Sequence, residues 1–173
     1  MIDYGHGVKL GPLRAGENEF YRSCRNHPDV RKWCRQTGLI SASAQGRWFE
    51  SQDKNPSIQM FRIVVGRDER VSGVCGLTSI DMINRRAEFS LWVAPEAQGL
   101  GTGKKSLKTL FDYGFKELGL HSIWGETFAH NHARHMFDKL GMKAEGVRRD
   151  FYFKDGRFID AILYSIKEKE WTP

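Results

Sequence analysis

Gly99, Gly101 and Gly103 stand at every second position in the stretch Trp92-Val93-Ala94-Pro95-Glu96-Ala97-Gln98-Gly99-Leu100-Gly101-Thr102-Gly103-Lys104-Lys105. The chemistry this spacing offers is anion binding. Glycine lets the main chain approach a ligand closely and adopt φ > 0, and a helix opening near Gly103 presents unpaired N–H groups at the positive end of its dipole. A phosphate group belongs there. Two common phosphate motifs are excluded. The P-loop needs glycine five residues before its Gly-Lys pair and Ser or Thr after the lysine, where this chain has Gln98 and Lys105. The dinucleotide fingerprint needs G-x-G-x-x-G inside a parallel βαβ unit, whereas here the spacing is G-x-G-x-G after antiparallel strands.

The elements that must position this turn follow from periodicity. Residues 87–93 alternate, with Glu88, Ser90 and Trp92 on one face and Ala87, Phe89, Leu91 and Val93 on the other. Before them, residues 60–65 and 71–80 read as a hairpin around the polar turn 66–70. After the turn, Leu107, Leu110, Phe111, Gly114, Phe115 and Leu118 form a helical stripe, with Lys104, Lys105, Lys108, Asp112 and Lys116 placed elsewhere around the helix and Gly119 closing it. A strand over 122–128 completes a βαβ crossover, so residues 87–93 and 122–128 should run parallel. Asn131 caps a helix with buried face Ala133, Met136, Phe137 and Leu140, and a short strand over 142–145 follows. A final strand spans 158–166 after the turn at Asp155-Gly156. Upstream, residues 7–13 read as a strand, Pro28 opens a helix through Val30, Trp33 and Cys34, and a further helix covers 44–51.

The hexapeptide Gln98-Gly99-Leu100-Gly101-Thr102-Gly103 matches Q/R-x-x-G-x-G/A after an alternating strand, and here the sequence resembles the GNAT (GCN5-related N-acetyltransferase) superfamily. Lys139-Leu140-Gly141-Met142, Glu145-Gly146-Val147-Arg148-Arg149 and the segment 155–160 look like its ribosomal-protein-alanine acetyltransferase-like (RimJ/RimL-type) branch. The resemblance implies an α+β GNAT fold: a mixed, mainly antiparallel sheet of six to seven strands, a central parallel βαβ crossover and helices on both faces. It implies acetyl-CoA as cosubstrate, with no metal. Amides of Gln98, Gly99, Leu100, Gly101, Thr102, Gly103 and Lys104 would hold the pyrophosphate, the backbone of Leu91, Trp92 and Val93 would pair with the pantetheine arm, Asn131 would bond that arm, and Phe137 and Lys139 would border the nucleotide. It also implies a bulge in the strand 87–93 and a splay from its parallel neighbour.

Transfer to an amine requires a proton acceptor, unless the amine is an α-amino group titrating near pH 8. Glu88 is the first candidate, Glu126 beside the expected opening the second, and Asp81 the third. The chain departs from the family at the general acid, with Phe137 where many members have tyrosine and Arg134 where some have serine. Either Tyr152 or Tyr164 supplies the proton or the thiolate leaves unassisted. The missing hydroxyls also leave an alternative, a catalytically weak acyl-CoA-binding module. The acceptor is expected to be a primary amine, on a small molecule such as an amino sugar or nucleotide-linked amine, or at a protein N-terminus. Arg25, Arg31, Trp33 and Tyr152 are the candidate acceptor residues, and the arginines between 22 and 35 suit an anionic acceptor better than a polyamine.

Length and composition fit this reading. The 173 residues carry 40% hydrophobic and 28% charged side chains, as expected for one globular domain over 1–173, comprising a helical acceptor-binding part (about 14–56), an acetyl-CoA-binding core (about 60–145) and C-terminal strands (about 146–171). Its charge of +6 is scattered rather than gathered on one face, which argues against nucleic acid. His130, His132 and His135 lack a carboxylate or cysteine at ligand spacing, so no metal is expected. Three cysteines and an N-terminus without signal-peptide layout point to the cytoplasm, with no membrane partner and a monomer or homodimer.

Overall fold

The computed structural model describes residues 1–173. Seven strands form one sheet in the order β1-β2-β3-β4-β5-β7-β6. They are β1 Lys9–Pro12, β2 Gln59–Val65, β3 Arg70–Asp81, β4 Arg86–Val93, β5 Ser122–Phe128, β6 Lys143–Lys154 and β7 Arg157–Lys167. The alternation of β4 places Ala87 and Phe89 beneath the helix α4 (Thr102–Lys116), in a core with Leu107, Leu110, Phe111, Phe115 and Ile123. Gly114 lets that helix sit close, since a Cβ there would meet Ile123 Cδ1 at 2.8 Å. On the opposite face lie α1 (Asn18–Asn26), α2 (Pro28–Arg31) and α3 (Ala42–Gln52), and Tyr21, Cys24 and Val30 pack on Val74 and Trp92. No helix is long and apolar enough to cross a membrane.

Every strand pair is antiparallel except β4–β5, as the crossover requires. That parallel pair is short. Arg86, Ala87 and Glu88 face Ser122, Ile123 and Trp124, and beyond Glu88 the strands part. The Phe89 ring fills the vertex, where a Cβ on Gly125 would lie 2.3 Å from it. The implied bulge in β4 is absent: its ladder to β3 runs regularly from Glu88 to Val93, and the register shift falls on β3 between Thr78 and Asp81.

Other differences have physical causes. The short strand over 142–145 is the start of a twelve-residue β6, which sits at the sheet edge with almost every residue exposed and so lacks apolar alternation. The helix from Pro28 ends at Arg31, so Trp33 and Cys34 lie in turns, and α5 (Arg134–Asp138) is short although Phe137 and Leu140 remain buried. Asp112, grouped by sequence with the polar lysines of α4, is buried, its carboxylate taking His6 Nε2 at 2.7 Å, Lys116 Nζ at 2.8 Å and Trp171 Nε1 at 3.0 Å. Both ends of the chain are thereby tied to the central helix.

Candidate active site

The glycine turn is the floor of the site. Gly99 and Gly101 have φ of 75° and 77°, so side chains there would be strained. The Gln98 side chain donates to the Val93 carbonyl at 3.1 Å, fixing the turn to the end of β4. No intramolecular acceptor meets the amides of residues 99–104, which line up ahead of and into the first turn of α4. This is an unfilled anion cradle at a helix N-terminus. Leu100 is 71% exposed and points away from the cleft, so only its amide belongs to the cradle.

From the cradle a cleft of about 810 Å³ runs into the splay between β4 and β5. The backbone of Leu91 to Val93 forms one wall, while the Trp92 side chain turns away to pack on Phe20 and Tyr21. On the other wall Asn131 donates to Thr127 Oγ1 at 2.9 Å and accepts from the Ala133 amide at 3.0 Å. Lys139 reaches the cleft from the exposed end of α5. Phe137 also lines the cleft, with only 5% of its surface exposed and its ring centroid 5.3 Å from those of Phe89 and Tyr164.

At the far end stand two carboxylates and two guanidinium groups. Glu88 and Glu126 share one face across the splay, since Glu88 pairs with Trp124, two residues before Glu126. Arg35 Nη2 lies 2.8 Å from Glu88 and its Nη1 3.4 Å from Glu126. Arg148 Nη1 holds the other oxygen of Glu126 at 2.9 Å, and the Tyr152 hydroxyl donates to Glu126. Thr78 Oγ1 reaches Glu88 at 3.5 Å. Burial opposes the charge on Arg35, but the neighbouring Glu88 and Tyr152 outweigh it and hold the guanidinium pKa above its ordinary value. Burial together with the Glu126 carboxylate raises the Tyr152 phenol, keeping it protonated.

The roof is the segment between α2 and α3, where Trp33 packs tilted against His130 and edge-on against His132. Lys154, from the far end of β6, donates to the carbonyls of Arg31, Cys34 and Gln36. Burial pushes its ammonium below the ordinary lysine range, which is the cost of plugging the roof from inside. Lys154→Met should free this segment. Charged hydrogen bonds contribute about 1.5–3 kcal/mol each, so proteolysis within residues 32–41 should speed up by about tenfold or more in a limited-digestion assay.

Three expected residues lie elsewhere. Arg31 donates to the Thr37 carbonyl at 3.4 Å and does not line the cleft. Asp81 ends β3 away from the cleft, partly buried and bound to Asn84 and Arg86. Tyr164 is 3% exposed within the core. Arg25, Trp33 and Tyr152 do line the cleft. Sequence reasoning passed over Arg148, Thr78 and Lys154, whose relevance depends on strand register no local pattern announces.

With this geometry in view, a family model described as an acetyltransferase (GNAT) domain matches residues 8–143. The chain is 32% identical over 164 residues to the spermidine N(1)-acetyltransferase of Vibrio cholerae, covering 94% of each. It is 33% identical over 66 residues to the [ribosomal protein bS18]-alanine N-acetyltransferase of Haemophilus influenzae, 38% of this chain and 44% of that one. A crystal structure of spermidine N-acetyltransferase from Vibrio cholerae with CoA and spermine superposes with a TM-score of 0.90 at 24% identity, covering 95% of this chain and 97% of that chain.

Proposed function

Because the chain belongs to the GNAT acetyltransferase family and is an acetyl-CoA-dependent N-acetyltransferase, we propose that transfer to a primary amine takes place at the vertex of the β4–β5 splay, with Glu88 as proton acceptor. The observation that carries this reading is the continuity of one cleft from the free amides of residues 99–104 to the carboxylates of Glu88 and Glu126.

The cradle fits the cosubstrate, since an unpaired amide row at a helix start is what a pyrophosphate requires. Amides of residues 99–104 and the Lys104 ammonium hold the phosphates, whereas the Gln98 amide, expected to join them, is taken by the Pro95 carbonyl at 3.2 Å. The unpaired edge of β4 at Leu91, Trp92 and Val93 takes the amide-bearing arm as an added strand, and Asn131 faces it across the opening. Acetyl-CoA supplies the acyl group and a thiolate leaving group. Lys139 lies along the cofactor end of the cleft, and Arg25, Trp33 and Tyr152 at the acceptor end. Glu88 removes a proton from the amine directly or through water, and Glu126 orients it. The phenol of Tyr152 is the hydroxyl available to the cleft where Phe137 and Arg134 replace those of other family members.

The acceptor in this reading is a protein N-terminal amine or the amine of an amino sugar or nucleotide-linked small molecule. The chain acts as one domain over 1–173, with acceptor contacts from about 14–56 and cofactor contacts from about 60–145, alone or as a homodimer. Three unpaired cysteines suit the cytoplasm. Calorimetry with CoA and thiol release from acetyl-CoA across a panel of amines test the reading together. Amine-dependent thiol release is the expected result. CoA binding without release from any amine would instead favour a binding module.

A further inference from the structure

Arg35 occupies the place where a cationic acceptor group would bind. Its guanidinium bridges Glu88 and Glu126, whose side chains are only 10% and 4% exposed, while the Arg35 side chain itself is 54% exposed. An ammonium group entering from the cleft would seek the same carboxylate oxygens, at about 2.7–2.9 Å. The remaining oxygen of Glu126 is taken by Arg148, and Asp29, the other carboxylate lining the cleft, is held by Lys32 at 2.8 Å. No free carboxylate therefore faces the cleft. Arg25, Lys104 and Lys139, in contrast, line it without an acidic partner.

We propose that Arg35 is a specificity residue that bars amines carrying further positive charges and admits amines with a carboxylate or phosphate beside them. The proposal rests on the amine-acetylation reading above and refines its acceptor class. A polyamine must displace Arg35 from two carboxylates and then lie beside the displaced guanidinium. An acidic acceptor needs no displacement, because the planar guanidinium can keep Glu88 and present its exposed edge to a second anion. The roof segment permits this, since Arg35 itself is anchored only by its ion pairs while Lys154 fixes the carbonyls on either side. The spermidine acetylation named for the Vibrio cholerae relative is thus not expected here.

Calorimetric titration of the CoA-saturated protein tests this with two probes, spermidine and the peptide Ala-Asp-Glu-Glu with a free N-terminus. In Arg35→Gln, spermidine affinity should rise at least about tenfold over wild type, the scale of one charge-assisted hydrogen bond. That gain should vanish when Glu88→Gln is added. Peptide affinity should fall at least about tenfold in Arg35→Gln and recover in part in Arg35→Lys. Wild-type protein that binds spermidine as tightly as Arg35→Gln, or binds the peptide no better than Arg35→Gln does, would overturn the proposal. Each variant is first titrated with CoA: loss of CoA binding in wild type would remove the functional reading itself, whereas intact CoA binding confines any failure to Arg35.

Discussion

Glu88→Gln should lower kcat by roughly 10²–10⁴, the usual contribution of a positioned proton acceptor, while leaving CoA affinity unchanged. The two ends of the cleft are built separately. The cofactor end is main chain from residues 99–104, and Glu88 lies at the opposite end, where β4 and β5 separate. Glutamine fills the same volume and still accepts from Arg35, so packing around the nearly sealed side chain survives. It can no longer take up a proton. Steady-state kinetics beside CoA titration read the two effects apart, and a structural collapse would weaken both. Unchanged kcat in Glu88→Gln would transfer the role to Glu126, whose carboxylate faces the same guanidinium from β5.

The second large effect is on stability. Asp112→Ala should destabilise the protein by about 2–4 kcal/mol, because it strands the Trp171 indole N–H and the His6 ring and leaves Lys116 unpaired. For a chain of this length that corresponds to a fall in Tm of roughly 5–15 °C. Burial alone would push the Asp112 carboxyl up, but the hydrogen bonds from Lys116, Trp171 and His6 outweigh it and hold its pKa below the ordinary aspartate value. A carboxyl that stays charged to lower pH in the folded state than in the unfolded one stabilises fully above an ordinary pKa of about 4 and loses that contribution as pH falls through the depressed folded value. The gap in Tm between wild type and Asp112→Ala should accordingly be constant near neutrality and narrow below about pH 4.

The cofactor half of the molecule was readable because main-chain geometry is written in local spacing. Glycine at 99 and 101 signals left-handed φ without any tertiary knowledge, and the stripe from Leu107 to Phe115 signals α4. The acceptor half was not readable in the same way. Arg35, Glu88, Glu126, Arg148 and Tyr152 come from four separate segments, and the four on strands meet through the register of β4 on β5, β5 on β7 and β7 on β6. Only the start of β6 was legible, at 142–145, since an edge strand solvated on both faces has no alternation to betray the rest, and Asp150 interrupts it with φ of 50°. Asp112 looked like one more polar residue of a lysine-rich face because nothing local shows that Trp171 and His6 fold back over it.

The cradle at residues 99–104 offers backbone, and backbone is indifferent to which side chains flank it. In the proposed site, recognition of the acceptor falls instead to side chains on a surface loop at residue 35 and an edge strand at residue 148, where a chain tolerates exchange most readily. Over evolutionary time such a division lets a lineage change the amine it modifies by a few substitutions at its rim while inheriting its cosubstrate unaltered.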